Sequence, residues 1–155
     1  MPKNTIKSVP KPREVKKHTK TLPEGKKATK ASLKKEKAKL EADCDKLWSL
    51  CVRERDKICR YCGSDYKLSA HHIRGRAAHS TRFLIRNGIT LCWENCHCLQ
   101  KFNPEKFQDR VIEVIGDEEY QALKRMSLVV VKHDNEDLRI IKEHLEKELR
   151  RLKSE

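Results

Sequence analysis

Two closely spaced pairs of cysteines constrain the fold of this chain more than any other feature. Cys59 and Cys62 have two residues between them, Cys92 and Cys96 have three, and 29 residues separate the pairs. Each short loop can turn both of its sulfur atoms toward one point, so four thiolates can surround a single zinc ion tetrahedrally. The spacing therefore predicts a structural zinc site, although it leaves open whether Cys98 replaces Cys96 as the fourth ligand.

The cysteine content as a whole favours zinc over disulfides or a redox centre. The chain has seven cysteines, an odd number, and five of them lie between residues 59 and 98 among histidines. A redox pair at Cys59 and Cys62 would explain neither the second pair nor the histidines. Cys44 and Cys51 lie seven residues apart on a predicted helix, where buried apolar roles are expected. With 37% hydrophobic and 38% charged residues, the core is small, and small cores commonly need such a metal.

The compartment follows from what the sequence lacks. The N-terminal segment carries charge without the apolar stretch of a signal peptide, and no apolar run approaches transmembrane length. Reduced cysteines fit a reducing compartment. We therefore expect a soluble, cytoplasmic protein that does not associate with a membrane.

The net charge of +13 is concentrated near the N-terminus. Residues 1–40 hold 14 Lys and Arg but only 3 Glu, whereas residues 105–155 are slightly acidic. A Lys-rich tail is often just a solvated extension, but here the cysteine and histidine segment is basic as well. Nucleic acid is the expected polyanionic partner. Residues 1–32 hold almost no large apolar side chains and are predicted to be a disordered tail.

Periodicity and capping residues predict the other elements. We expect a helix from about Leu33 to Arg55, a strand over 68–73, an Arg-rich loop over 74–86 and a strand over Gly88–Cys92. A helix should run from near Cys96 to about Phe102. Asn103 should cap another helix that ends at Gly116, and Asp117 should cap a third. The short apolar run Leu128–Val131 is predicted to be an edge strand or a helix end.

A final amphipathic helix is predicted over residues 135–153. Its apolar positions follow a heptad-like spacing: Leu138, Ile141, Leu145, Leu149 and Leu152. The sequence leaves two alternatives open. The stripe could pack on its own domain, or it could form the seam of a homodimer, for which two heptads are short.

Histidines between and beside the cysteine pairs indicate a second site. His71 and His72 are adjacent on a predicted strand, and His97 follows Cys96. A metal-dependent phosphodiesterase needs one group to hold a divalent cation and another to deprotonate water. Because neighbouring strand residues point to opposite faces, one of the two histidines is expected to be a metal ligand and the other the base.

These residues resemble the HNH endonuclease family, the ββα-metal nucleases. The resemblance covers roughly residues 44–126, and it is carried by His71-His72, by Asn87 with Leu91-Cys92 at its usual offset, and by Cys96-His97. It implies an α+β fold, in which a zinc-stapled ββα-metal core over residues 33–126 is flanked by helices. Residues 127–155 would add the C-terminal helix. The type resembled is a small phage or prophage nuclease, in the cytoplasm of a bacterial or phage-infected cell.

The resemblance implies a role for each site residue. His71 and His97 would bind the catalytic divalent metal, which could be Mg²⁺, Mn²⁺, Ni²⁺ or Zn²⁺. His72 would be the general base, and Asn87 would hold the loop that orients it. Further basic residues would contact DNA phosphates: Arg74, Arg76, Arg82, Arg86 and Lys101.

Two departures from the family pattern bear on the function. Lys101 stands where the family often has a further histidine, so only two imidazoles would bind the metal, with Asn87 or water filling in. Three residues separate Cys92 from Cys96, where two are usual, which could shift His97 by part of a turn. A DNA endonuclease is the first hypothesis, and a zinc-stapled DNA-binding recombination accessory protein with weak or lost cleavage is the alternative.

Overall fold

The computed structural model describes residues 29–155, so the predicted disordered tail lies outside the described residues up to residue 28. The first helix begins at Lys30, three residues before the predicted start. The reason is a cap, because the Thr29 side chain accepts a hydrogen bond from the Ser32 backbone N–H at 3.2 Å. Residues 30–32 are therefore helical rather than part of the tail.

The described chain has a mixed α+β fold, with five α-helices and one two-stranded antiparallel sheet. The elements in chain order are α1 (Lys30–Asp56), β1 (Leu68–His72), a 3-10 turn (Ile85–Asn87), β2 (Gly88–Cys92), α2 (Leu99–Phe102), α3 (Pro104–Ile115), α4 (Asp117–Ser127) and α5 (Asn135–Ser154). None of the helices in residues 29–155 combines the length and the apolar character needed to cross a bilayer.

Helices α1 and α5 pack side by side and form the first hydrophobic cluster. The buried thiols of Cys44 and Cys51 donate to the carbonyls of Leu138 and Leu145, each at 3.4 Å. Since both partner numbers rise together, the two helices run parallel. Leu138, Leu145 and Leu152 are buried in this cluster, so the leucine stripe packs on its own chain. A dimer seam made of these leucines would have to displace α1.

The sheet lies against α1 at Gly88. In its register His72 is opposite Gly88 and His71 is opposite Ile89. A Cβ atom at Gly88 would lie 2.8 Å from Cζ2 of Trp48 and would clash with the Val52 side chain. The glycine is therefore what lets the helix approach the start of β2. All residues of β2 are buried, as expected for a strand covered on both faces.

Helices α3 and α4 cover the other side of the sheet. Asn103 caps α3, as predicted, by accepting from the Lys106 backbone N–H at 3.1 Å, and Gly116 ends it with φ of +85°. Asp117 was expected to be a cap, but it lies in the first turn of α4. The second hydrophobic cluster forms here, between the sheet and these helices: Ile89, Leu91, Phe107, Val111 and Tyr120.

The structure differs from one local prediction and decides another. The helix expected from Cys96 is only Leu99–Phe102, because the chain after β2 makes turns in which the His97 N–H donates to the Cys92 carbonyl at 3.0 Å. His97 is therefore presented by a turn. The segment Leu128–Val131 forms no strand. It begins at the end of a helix, because Leu128 is the C-cap of α4, and Leu128 and Val130 are exposed to solvent.

Candidate functional site

The sulfur atoms of four cysteines converge between the end of β2 and the short turn Cys59–Cys62, which we call the knuckle. The Sγ atoms of Cys59, Cys62, Cys92 and Cys96 lie within 4.8 Å of one another, and those of Cys62 and Cys92 are 3.7 Å apart. Zn–S bonds of 2.3 Å in a tetrahedron place sulfurs about 3.8 Å apart. Both the donor set and its spacing therefore fit a structural metal such as zinc. Cys62 is the exposed member of the four, and the other three are buried.

Backbone hydrogen bonds hold the turn from Cys59 to Gly63 and favour the thiolate of Cys59. The Gly63 N–H donates to the Cys59 carbonyl at 2.8 Å, and Gly63 has φ of +80°, a conformation that favours glycine. The Arg60 N–H donates to the Thr90 carbonyl at 2.8 Å and ties the knuckle to β2. Burial raises the pKa of Cys59, but N–H groups of Cys62, Cys92 and Tyr61 more than offset it and lower the pKa to about 7. A thiolate is the form that binds a metal.

The structure selects Cys96 over Cys98 for the cluster. Cys98 Sγ lies instead 3.8 Å from the carbonyl of Trp93, away from the other four sulfurs. Cys44 and Cys51 are fully buried between α1 and α5, which confirms their predicted apolar roles. Burial raises the pKa of each to about 11, so both stay as thiols.

The three histidines singled out in the sequence line one cleft of about 480 Å³. The neighbouring rings of His71 and His72 point to different sides of β1. The His71 ring meets the His97 ring edge to face, with centroids 4.9 Å apart, and it also meets Phe107. The His72 ring is stacked on Trp48 with centroids 3.6 Å apart and an interplanar angle of 10°.

One ring nitrogen of His71 is buried and unpartnered among the described residues, although the ring also interacts with Gln100. The unpartnered nitrogen is Nε2. Burial, with the positive charges of His97 and His72, lowers the pKa of His71 to about 4, so the ring is neutral at neutral pH. A neutral imidazole with an unpartnered nitrogen fits a divalent cation, and buried polar atoms normally have a partner.

The second imidazole of this pair, that of His97, also has a lowered pKa. Burial lowers the pKa of His97, and the charge of Lys101 lowers it further. Among the described residues, no carboxylate, thiol or third imidazole completes a group of three metal-binding atoms with His71 and His97. The remaining ligands of a cation in this cleft would have to be water or substrate oxygens.

His72 is held in one tautomer. Its Nε2 lies 2.9 Å from the Arg82 carbonyl oxygen, and because a carbonyl only accepts, Nε2 carries the proton. Nδ1 is then the nitrogen able to accept a proton. Burial lowers the pKa of His72, opposed by the hydrogen bond to Arg82 and by the charge of Asp45, so the neutral form prevails at neutral pH.

Asn87 closes the loop between β1 and β2. Its side chain is fully buried, with Oδ1 accepting from the Arg74 N–H at 2.8 Å and Nδ2 donating to the carbonyls of Arg74 and Thr81, each at 3.0 Å. The amide is therefore occupied by backbone groups, and the expectation that Asn87 could complete the metal shell is wrong. Its position does suit the expected role of holding the loop.

The predicted DNA contacts divide into two groups. Arg76 lines the cleft, and its side chain is 69% exposed. Lys101 is exposed and close enough to affect His97. Both are free to meet a phosphate, since Arg76 has only a 3.9 Å ion pair with Asp45.

The other three arginines have partners within the protein. Arg82 makes a two-pronged ion pair with Asp45 at 3.0 and 2.7 Å, and its side chain is only 14% exposed. Arg86 pairs with Glu119 at 3.1 Å and lines a different pocket from that of the histidines. Arg74 donates to Ser127 Oγ at 3.2 Å. These contacts hold loops to helices, and a contact of the three arginines with phosphates stays a prediction.

Several residues of the cleft were not expected from the sequence. Trp48 and Trp93 each stack on a histidine, and the Trp93 and His97 ring centroids are 4.7 Å apart. Asp45 and Gln100 also line the cleft. The sequence offered a weak signal for Trp93, which directly follows a cysteine ligand, and none for Trp48 beyond its helical spacing.

No protein-family model, no curated protein and no solved structure matches this chain. The site is therefore interpreted from its own geometry. A cluster of four cysteines that could hold zinc lies beside a cleft lined by three imidazoles, one of which has a fixed tautomer.

Proposed function

We propose that this chain is a metal-dependent DNA endonuclease of the HNH, or ββα-metal, type. One observation carries the proposal, namely that His71, His97 and His72 line a single cleft. The first two meet edge to face, and the third has its Nε2 engaged by a carbonyl. The basic, exposed Arg76 at the same cleft supports a phosphodiester substrate.

The proposed chemistry follows from these side chains. A divalent cation held by His71 and His97 would supply positive charge that stabilises the phosphoryl transition state and the leaving oxygen. Nδ1 of His72 would take the proton from the attacking water, and the pKa of an imidazole suits this task near neutrality. Arg76 would orient the phosphate. Attack of the water on phosphorus would break the P–O3′ bond, and the 3′ oxygen would leave as a hydroxyl, so the products would be 5′-phosphate and 3′-hydroxyl ends.

A plasmid assay tests the proposal directly. Purified protein should convert supercoiled plasmid to nicked or linear DNA with Mg²⁺ or Mn²⁺, and His72→Ala should reduce the rate by about 10²- to 10⁴-fold. His144→Ala is the matched control, because His144 is exposed on α5 and does not line the cleft. If His72→Ala cuts at the wild-type rate while binding DNA equally well, His72 is not the base.

A zinc-stapled DNA-binding protein that cleaves weakly or not at all is the second candidate. The observation that favours it is the charge of Lys101, which lowers the pKa of His97 and would also repel a cation there. Lys101→His removes this charge and should raise Mn²⁺ affinity if Lys101 is what weakens the site. Absence of plasmid cleavage by the wild type with every metal, together with cleavage by Lys101→His, would establish this candidate.

A further inference from the structure

We propose that Trp93 is a stacking platform for an unpaired nucleobase, so that the cleft prefers single-stranded or locally unpaired DNA to intact duplex. The inference deepens the proposed function, on which it rests for the identity of DNA as the ligand. It does not depend on cleavage, so binding alone can test it.

The backbone fixes the position of the Trp93 indole. Trp93 follows Cys92, one of the four clustered cysteines, and its N–H donates to the Lys67 carbonyl at 2.9 Å. The ring lies against His97, with centroids 4.7 Å apart and an interplanar angle of 29°. It lines the same cleft as His71 and His72. A base on this indole would therefore sit next to the proposed metal ligands.

The two indoles of the cleft differ in their exposure. Trp48 is 2% exposed, and its Nε1 donates to the Leu84 carbonyl at 2.8 Å, so it belongs to the core. Trp93 is 58% exposed although one side covers His97. An aromatic surface of this size, left in water beside a polar cleft, is the arrangement that proteins use to stack nucleobases.

The cleft carries exposed positive charge beside Asp45, which suits a nucleic acid backbone, and the flat indole suits an unpaired base. Arg76 in the cleft and Lys101 near His97 provide exposed positive charge. A duplex keeps the faces of its bases stacked inside and presents only their edges and its phosphates. Only an unstacked base offers a flat face to an indole, and stacking of this kind tolerates every base. The expected ligand is therefore a strand with an unpaired base next to the scissile phosphate.

Binding measurements on the His72→Ala protein, without added divalent metal, test the inference. Fluorescence anisotropy would compare a short labelled oligothymidylate with a mixed-sequence duplex of the same length. Trp93→Ala should weaken oligothymidylate binding by about 5- to 100-fold and leave duplex binding nearly unchanged. Tyr66→Ala is the matched control, because Tyr66 is 61% exposed but does not line the cleft.

Equal losses for both DNAs, no loss for either, or an equal effect of Tyr66→Ala would overturn the inference. If Trp93→Ala loses zinc or fails to fold, Trp93→Phe and Trp93→Leu decide. Oligothymidylate affinity kept by the phenylalanine and lost by the leucine supports stacking, whereas equal affinities contradict it. Failure of the nuclease proposal would give a different result. Wild-type protein would leave plasmid and oligonucleotide uncut, while Trp93→Ala would still weaken only the binding of oligothymidylate.

Discussion

The side-chain amide of Asn87 donates a hydrogen bond to the carbonyl of Thr81, with 3.0 Å between the two atoms. The next residue is Arg82, whose carbonyl accepts from Nε2 of His72 at 2.9 Å. The buried amide therefore holds the segment that orients the imidazole, while Trp48 fixes the plane of the ring by stacking. This chain of contacts gives a physical reason for an asparagine at this position.

Asn87→Asp should show whether the hydrogen bonds of this side chain, and not its size, stabilise the loop. The carboxylate would face the carbonyls of Arg74 and Thr81, which now accept from Nδ2, so two donors are replaced by a buried negative charge. We expect the free energy of unfolding to fall by about 3 kcal/mol or more, measured by urea denaturation at neutral pH.

The same change at another asparagine provides its control. In Asn103→Asp the carboxylate can still accept from the Lys106 N–H and cap α3, so stability should change by less than about 0.5 kcal/mol. Equal stability of the two variants would mean that the Asn87 contacts do not hold the loop.

Loss of one zinc ligand should unfold the cysteine cluster. We expect Cys59→Ser to lower the zinc content from about one per chain and to lower the melting temperature strongly, because structural zinc contributes folding free energy directly. Cys98→Ser should keep both values, since Cys98 lies outside the cluster. Elemental analysis and calorimetry give the two quantities. Zinc loss in Cys98→Ser with retention in Cys59→Ser would reverse the assignment.

Stability should fall in mild acid because of His71. Its pKa in the folded protein is about 4, below the ordinary value of 6.5. The unfolded chain therefore takes up the proton first, and the contribution of the neutral ring, complete above pH 6.5, is lost as the pH falls toward 4. Between pH 7 and pH 5, without added divalent metal, wild type should lose about 2 kcal/mol more than His71→Gln. Parallel losses in urea denaturation would refute this effect.

Two arginines in the same loop should respond differently to alanine. Arg76→Ala should weaken DNA binding, and the slope of log affinity against log salt should change by about 0.9 if one phosphate contact is lost. Arg82→Ala should instead lower the free energy of unfolding by about 3 kcal/mol, because it leaves Asp45 without its two-pronged partner. An unchanged salt slope in Arg76→Ala would remove Arg76 from the DNA surface.

Local patterns predicted much of the fold. The strand Gly88–Cys92 has the predicted bounds, and Asn103, Pro104 and Gly116 mark the ends of α3 because capping depends on neighbouring residues. The turn that carries His97 was missed, because the chain turns there to bring Cys96 back beside the other three cysteines, which is a tertiary constraint.

The partners of the loop arginines could not be predicted from local sequence patterns. Asp45 of α1 and Glu119 of α4, which pair with Arg82 and Arg86, are each more than thirty residues away in sequence. No periodicity links such positions. Likewise, the stacking of Trp48 on His72 depends on how α1 crosses the sheet at Gly88, which requires the tertiary structure.

Because α1 packs against α5, this layer can form only late in the synthesis of the chain. The thiols of Cys44 and Cys51 find their carbonyl partners 94 residues later in the chain. At about 5 to 20 residues per second, α1 leaves the ribosome roughly 5 to 20 seconds before α5 can cover it. Closure over so long a separation is slow. A nascent chain therefore reaches the assembled α1–α5 layer, in which Trp48 lies behind His72, only after α5 has emerged.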